Sequence, residues 1–228
     1  MSTIGTTAVI FDLDGTLVDS EPNYYEAGRQ VLDELGVPGY SWSDHERFVG
    51  ISTLETVAVW KDQYGLRASV DELFLAKNRR YLELARAATP AYPEMREFVE
   101  LLAGEGVPMA VASGSSPEAI EAVLAGTGLD AYLRLAVSAD EVARGKPAPD
   151  VFLEAARRLG ADPADCVVLE DAAPGAVAAH AAGMRCIAIP YLSAQADAPE
   201  FATAALLLPG GQAEFTARAA YAWLTQAV

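Results

Sequence analysis

Four short apolar runs along the chain each stop abruptly at a polar turn. Ala8-Val9-Ile10-Phe11 empties into Asp12-Leu13-Asp14-Gly15-Thr16, and Met109-Ala110-Val111-Ala112 into Ser113-Gly114-Ser115. Cys166-Val167-Val168-Leu169 runs into Glu170-Asp171, and Cys186-Ile187-Ala188-Ile189 into Pro190. Unbroken apolar runs of this length predict strands buried on both faces, as in a parallel sheet, rather than strands with one wet face. Leu135–Val137 reads as a weaker fifth strand.

Helical stretches alternate with these strands over residues 90 to 190: Pro93–Gly104, Pro117–Gly126, Pro149–Gly160 and Pro174–Gly183. Each opens with Pro in its first turn and closes on Gly, the asymmetry that marks helix starts and stops. Strand and helix in alternation predict an α/β fold with a doubly wound, mostly parallel, Rossmann-like sheet. Ligands in that architecture bind at the carboxyl ends of the strands, where the polar turns above converge.

Residues 17–89 break the alternation. They contain no strand-like run, but Ser43-x-x-Glu46, Ser52-x-x-Glu55 and Ser69-x-x-Glu72 each fit a capping box, and Pro22 suits the start of a helix ending near Gly36. The segment is predicted to be an all-helical cap domain, inserted into a core domain made of residues 1–16 and 90–228. Tyr25, Leu32, Leu35, Leu54, Val57 and Tyr64 are spaced to form its own small core.

Composition agrees with a folded chain: of 228 residues, 52% are hydrophobic and 21% charged, which excludes disorder for most of the length. The formal charge of −16 repels nucleic acid and anionic membranes and argues against either as a partner. No apolar run reaches the roughly 18 residues of a membrane span, and no secretory signal is visible, so a cytoplasmic location is expected. The two cysteines, Cys166 and Cys186, lie in predicted buried strands without metal-ligand spacing and read as reduced core residues. A monomer is the default expectation.

The polar turns carry the chemistry. Asp12 and Asp14 flank one residue at the end of a buried strand, where two carboxylates repel unless a cation or a shared proton intervenes. One carboxylate can attack phosphorus, and a second can protonate the leaving oxygen and then deprotonate water. Glu170 and Asp171 end another strand, so one sheet edge gathers four carboxylates, with no Arg or Lys adjacent in sequence. Oxygen-only ligands of this kind suit Mg²⁺ rather than Zn²⁺. Ser113-Gly114-Ser115, between a strand and a helix, can hold phosphate oxygens through hydroxyl and N–H groups. Lys146, in Gly145-Lys146-Pro147-Ala148-Pro149-Asp150, can neutralise phosphate and nucleophile together. His45 and His180 read as ordinary surface or helix residues.

In this order the four motifs resemble the haloacid dehalogenase-like hydrolase superfamily, over nearly the whole chain. The helical cap just after the first motif resembles the branch containing β-phosphoglucomutase, phosphoglycolate phosphatase and sugar-phosphate phosphatases. The resemblance implies Asp12 as nucleophile and Mg²⁺ ligand, and Asp14 as general acid/base that also offers its backbone carbonyl to the metal. It implies that Ser113 and the Gly114 N–H bind the transferring phosphoryl group, that Lys146 bridges it to Asp12, and that Glu170 and Asp171 complete the metal site. The expected activity is hydrolysis of a small phosphomonoester, such as a sugar phosphate or a phosphoglycolate-like compound, through an aspartyl phosphate.

Three departures bear on the finer assignment. Tyr24 stands where phosphoglucomutase-like members carry His, Thr53 stands where they carry Arg after the Val49-Gly50-Ile51-Ser52 turn, and Ala172 replaces the usual Ser of Glu-Asp-Ser. The first two argue against a phosphosugar mutase, the alternative enzyme. A non-turnover aspartyl-phosphate signalling protein is the alternative from another class; Asp14 and the cap argue against it. Arg47, Tyr24, Thr53 and Lys77 are candidate substrate contacts from the cap.

Overall fold

The computed structural model describes residues 8–226. Six parallel strands form one sheet in the order β3-β2-β1-β4-β5-β6: β1 (Ala8–Phe11), β2 (Met109–Ser113), β3 (Ala136–Ser138), β4 (Cys166–Glu170), β5 (Arg185–Ala188) and β6 (Leu206–Leu207). The α/β, Rossmann-like expectation holds. The predicted strands are all present, within a residue or two at their ends, and the two-residue edge strand β6 is an addition.

Side chains alternate across the sheet, and the two faces bury separate cores. Val9, Phe11, Val167 and Leu169 point to one face, against α5 (Pro93–Gly104), α6 (Pro117–Thr127) and α9 (Ala217–Gln226). Ala8, Ile10, Cys166 and Val168 point to the other, against α7 (Asp150–Leu159) and α8 (Ala173–Ala181). Burial on both faces is why these strands read as unbroken apolar runs. Both cysteines are buried in the core, as expected, and Cys166 Sγ donates to the Asp162 carbonyl at 3.3 Å.

Chain order places the functional edge. From β1 the sheet grows outward through β2 and β3 on one side, then through β4, β5 and β6 on the other. The crevice where the direction reverses lies between the carboxyl ends of β1 and β4. Those ends carry Asp12 and Glu170.

Between β1 and α5 the chain forms α1 (Glu21–Glu34), α2 (Trp42–His45), α3 (Thr53–Tyr64) and α4 (Val70–Ala87), and no strand. Leu32, Tyr40, Phe48, Val57, Trp60 and Leu73 make a third cluster, with Tyr25 and Tyr64 packed against it. Leu35 and Leu54, expected in this core, are exposed at 42% and 49%. Leu35 caps the C-terminus of α1 and Leu54 lies in the first turn of α3, so both sit at helix ends beyond the packed face. Helix α4 joins two cores: Leu73 belongs to the helical cluster, whereas Tyr81 and Ala85 pack on the sheet side. The chain leaves and re-enters the sheet along paired segments, with Asp19 N–H donating to the Pro90 carbonyl and Tyr92 N–H to that of Leu17.

Of the expected capping boxes, Ser69 and Glu72 form one at the start of α4, and the Ser52 side chain caps α3. The first is shifted: Ser41 and Asp44, rather than Ser43 and Glu46, make the box that opens α2. Glu46 instead accepts a hydrogen bond from Trp42 Nε1 at 2.9 Å.

Candidate active site

Asp12 continues directly from β1, its N–H held by the Leu169 carbonyl of β4 at 2.9 Å. Its side chain is buried and ion-paired to Lys146, with Nζ–Oδ1 at 2.5 Å. The same ammonium lies 2.7 Å from Glu170 Oε2 and 4.9 Å from the centroid of the Phe152 ring. Lys146 thus joins the ends of β1 and β4, which sequence adjacency did not reveal. Its carboxylate neighbours raise its pKa in spite of burial, so it stays charged.

Asp12, Glu170 and Asp171 each offer a carboxylate oxygen within 4.8 Å of the other two. Burial, followed by the charge of Glu170, pushes Asp12 well above the usual carboxylate range, opposed by Lys146. Burial and then Glu170 and Asp12 push Asp171 up likewise. Three carboxylates against one ammonium leave two negative charges uncompensated when all are ionised. An all-oxygen donor set with that deficit fits a divalent cation such as Mg²⁺.

Local backbone requirements explain how the acids come so close. Gly15 adopts φ +80°, and a Cβ there would stand 2.3 Å from Asp171 Oδ2. Asp171 is further held by Thr16, whose hydroxyl donates to Oδ1 at 3.0 Å. Gly175, in the first turn of α8, lies against Glu170: a Cβ would meet the carboxyl carbon at 2.0 Å. Glu170 Oε1 accepts the N–H of Ala172 at 3.1 Å, so the amino end of α8 also stabilises this carboxylate.

Asp14 belongs to a second group. Its Oδ2 accepts from Ser115 Oγ at 2.6 Å and, at 3.4 Å, from Ser113 Oγ, while its Oδ1 accepts from Tyr81 at 3.0 Å. Among the described residues its carboxylate is not part of the three-acid cluster. Ser113 Oγ accepts the N–H of Ser115 at 3.0 Å, and Gly114, between them, is exposed. Asp12, Lys146, Glu170 and Asp171 therefore form one half of the site, and Asp14 with the Ser113-Gly114-Ser115 turn forms the other.

The cap candidates separate. Tyr24 reaches the site, its hydroxyl 2.7 Å from Ser115 Oγ. Lys77 is buried, with its ammonium 4.9 Å from the Tyr24 ring centroid and 5.7 Å from that of Trp60. Burial lowers its pKa to about 8, against the charges of Glu21 and Asp14. Arg47 is exposed, and Thr53 is half-buried at the start of α3. His180 is exposed, as expected, but His45 is not a surface residue: it is buried, with Nε2 2.6 Å from Glu21 Oε2.

Sequence reasoning missed Tyr81 and Glu21 and gave Ser115 no role of its own. Ser115 lies in the Ser113-Gly114-Ser115 turn, whose position after a strand is the signal that marks it. Tyr81 and Glu21 carry no local signal, because only the packing of α1 and α4 over the sheet edge brings them there.

A haloacid dehalogenase-like hydrolase family model matches residues 6–183. The chain is 35% identical over 201 residues to hexitol phosphatase B of Escherichia coli K12, covering 86% of this chain and 89% of that protein. It is 36% identical over 196 residues to the bifunctional riboflavin kinase/FMN phosphatase of Arabidopsis thaliana, covering 83% of this chain but spanning only 50% of that longer protein. The structure of CbbY from Rhodobacter sphaeroides in complex with phosphate superposes with a TM-score of 0.79 at 27% identity, over 91% of this chain and 95% of that one. Motifs, sheet order and these likenesses agree: the chain belongs to the haloacid dehalogenase-like hydrolase family.

Proposed function

We propose that this phosphoric monoester hydrolase releases phosphate from a small sugar or polyol phosphate, with Asp12 as the nucleophile. The observation that carries the reading is the buried group at the β1 and β4 ends, where Lys146 holds Asp12 beside Glu170 and Asp171. Likeness to a hexitol phosphatase favours a polyhydroxylated leaving group. Residues 17–89 act as a cap domain over a core of residues 1–16 and 90–228, of which 1–7 and 227–228 lie outside the described residues, and a roof of this kind favours a small substrate over a polymer.

In this mechanism the phosphoryl group is bound by the Ser113 hydroxyl, the Gly114 N–H and the Lys146 ammonium. An Asp12 carboxylate oxygen attacks phosphorus, the ester P–O bond breaks, and the departing oxygen takes a proton from Asp14. Water then attacks the phosphorus of the aspartyl phosphate while Asp14 accepts its proton, which frees phosphate and restores Asp12. Asp12, Glu170, Asp171 and the main-chain carbonyl of Asp14 would hold Mg²⁺. When bound, the cation offsets the charge of the phosphate oxygens during in-line transfer.

The test is phosphate release from hexitol phosphates, sugar phosphates, phosphoglycolate, nucleotides and an aryl phosphate, with Mg²⁺ or with EDTA. Release that requires Mg²⁺ and is fastest with a polyol or sugar phosphate supports the reading. No release from any ester would overturn it in favour of a phosphoacceptor without turnover.

A further inference from the structure

Asp14 is held by hydroxyl groups, and two of the residues involved come from the cap. Tyr81 of α4 donates to Oδ1 at 3.0 Å. Ser115 donates to Oδ2 at 2.6 Å, which uses its one hydroxyl proton. Tyr24 of α1, 2.7 Å from Ser115 Oγ, must then be the donor in that bond. The hydrogen bonds therefore run one way, from Tyr24 through Ser115 to one carboxylate oxygen and from Tyr81 to the other.

The two tyrosines are built as a unit. Their rings stack with centroids 3.9 Å apart and planes 12° apart. Tyr81 is fully buried, Tyr24 is half-buried, and a phenol hydroxyl carries one proton to donate. With Tyr81 buried and Tyr24 half-buried against it, the stacked pair has few rotamers open to it, so the Tyr81 hydroxyl is fixed on Asp14 and the Tyr24 hydroxyl on Ser115.

We propose that Tyr24 and Tyr81 are positioning residues for Asp14: the cap orients the acid/base through two phenol hydroxyls, one direct and one relayed by Ser115. This rests on the reading of Asp14 as the acid that protonates the leaving oxygen. Proton donation matters for a poor leaving group such as a sugar alkoxide and little for nitrophenolate. A residue that positions the acid is therefore needed for one ester more than for the other.

The experiment compares kcat/KM for a sugar or hexitol phosphate with kcat/KM for nitrophenyl phosphate, in wild type, Tyr81→Phe, Tyr24→Phe, Ser115→Ala, Tyr24→Phe/Ser115→Ala and Asp14→Asn. The ratio of the two constants is the readout, because any loss of folded enzyme lowers both and cancels. A displaced general acid costs on the order of tenfold to a hundredfold. The ratio is expected to fall by that factor in Tyr81→Phe and by a smaller factor in Tyr24→Phe. Tyr24→Phe/Ser115→Ala should fall no further than Ser115→Ala alone, since the two act in series. A ratio unchanged in both tyrosine variants, with a clear fall in Asp14→Asn, would overturn the positioning role and leave Asp14 as the acid. A ratio unchanged in Asp14→Asn as well would overturn the acid/base reading and the inference with it.

Discussion

Single residues set how closely the acids of the site can approach. Gly175→Ala would force a methyl group into the Glu170 carboxyl, where a Cβ has only 2.0 Å. Overpacking of this kind costs roughly 1–3 kcal/mol, and the displaced Glu170 also releases Lys146. Thermal unfolding should show the lost stability and a phosphatase assay a large loss of turnover; a fully active, equally stable variant would contradict the packing described here. Lys77 gives a prediction with a sign that depends on pH. Its pKa falls from the ordinary 10.5 to about 8 on folding, so folding buries a charge at an energetic cost. That cost is fully present below pH 8, shrinks as pH rises toward 10.5, where the unfolded chain holds the extra proton, and vanishes above. Lys77→Met should therefore be more stable than wild type at neutral pH, by ~1–3 kcal/mol, with an advantage that declines across this window. An advantage independent of pH would contradict the buried-ammonium account. At this scale the sequence was partly legible. Asp12, Lys146, Glu170 and Asp171 were found because strand ends and a loop lysine converge on one sheet edge. Tyr81 and the buried His45–Glu21 pair were not, because contacts between α1, α2, α4 and the sheet edge have no signature within any one segment.

Elements were legible where burial and end signals coincide. Strands β1, β2 and β4 are wholly buried, so their apolar runs had no competing reading. Helix α5 spans Pro93–Gly104, the range predicted from its terminal Pro and Gly. The short edge strand β6 escaped because Leu206 and Leu207 are only half-buried and too few to form a pattern. The Ser43 box failed for a related reason: Ser41 and Asp44 offer the same pair of groups two residues earlier, and one turn cannot use both. Helix α4 carries Lys77 and Tyr81 on the same face, four residues apart, and begins with the reciprocal Ser69–Glu72 box. Removing that cap with Ser69→Ala should cost about 1 kcal/mol. Chemical denaturation should register this as a lower midpoint with kcat unchanged, since Ser69 is remote from the reacting groups. A midpoint equal to wild type would mean that packing alone holds the start of α4.

For the molecule as a whole, strand order and site belong together. The reversal between β1 and β4 places Asp12 and Glu170 side by side, and the helices inserted after β1 bring Tyr24 to Ser115 and Tyr81 to Asp14. Alternating strand and helix patterns predicted the sheet, and the break in alternation predicted the insert. The face that the insert turns toward the crevice was not legible, because α4 buries residues on two sides and its pattern does not distinguish them. Phosphorylation of Asp12 is read out by acid-quenched trapping with a phosphorus-labelled sugar phosphate. Wild type should retain covalent label that hydroxylamine releases, as an acyl phosphate requires, and Asp12→Asn should retain none and turn over no substrate. Asp12→Asn should also fold with little loss of stability, because it removes one of the mutually repelling acids. Turnover that survives in Asp12→Asn, or label bound to any other residue, would contradict Asp12 as the nucleophile.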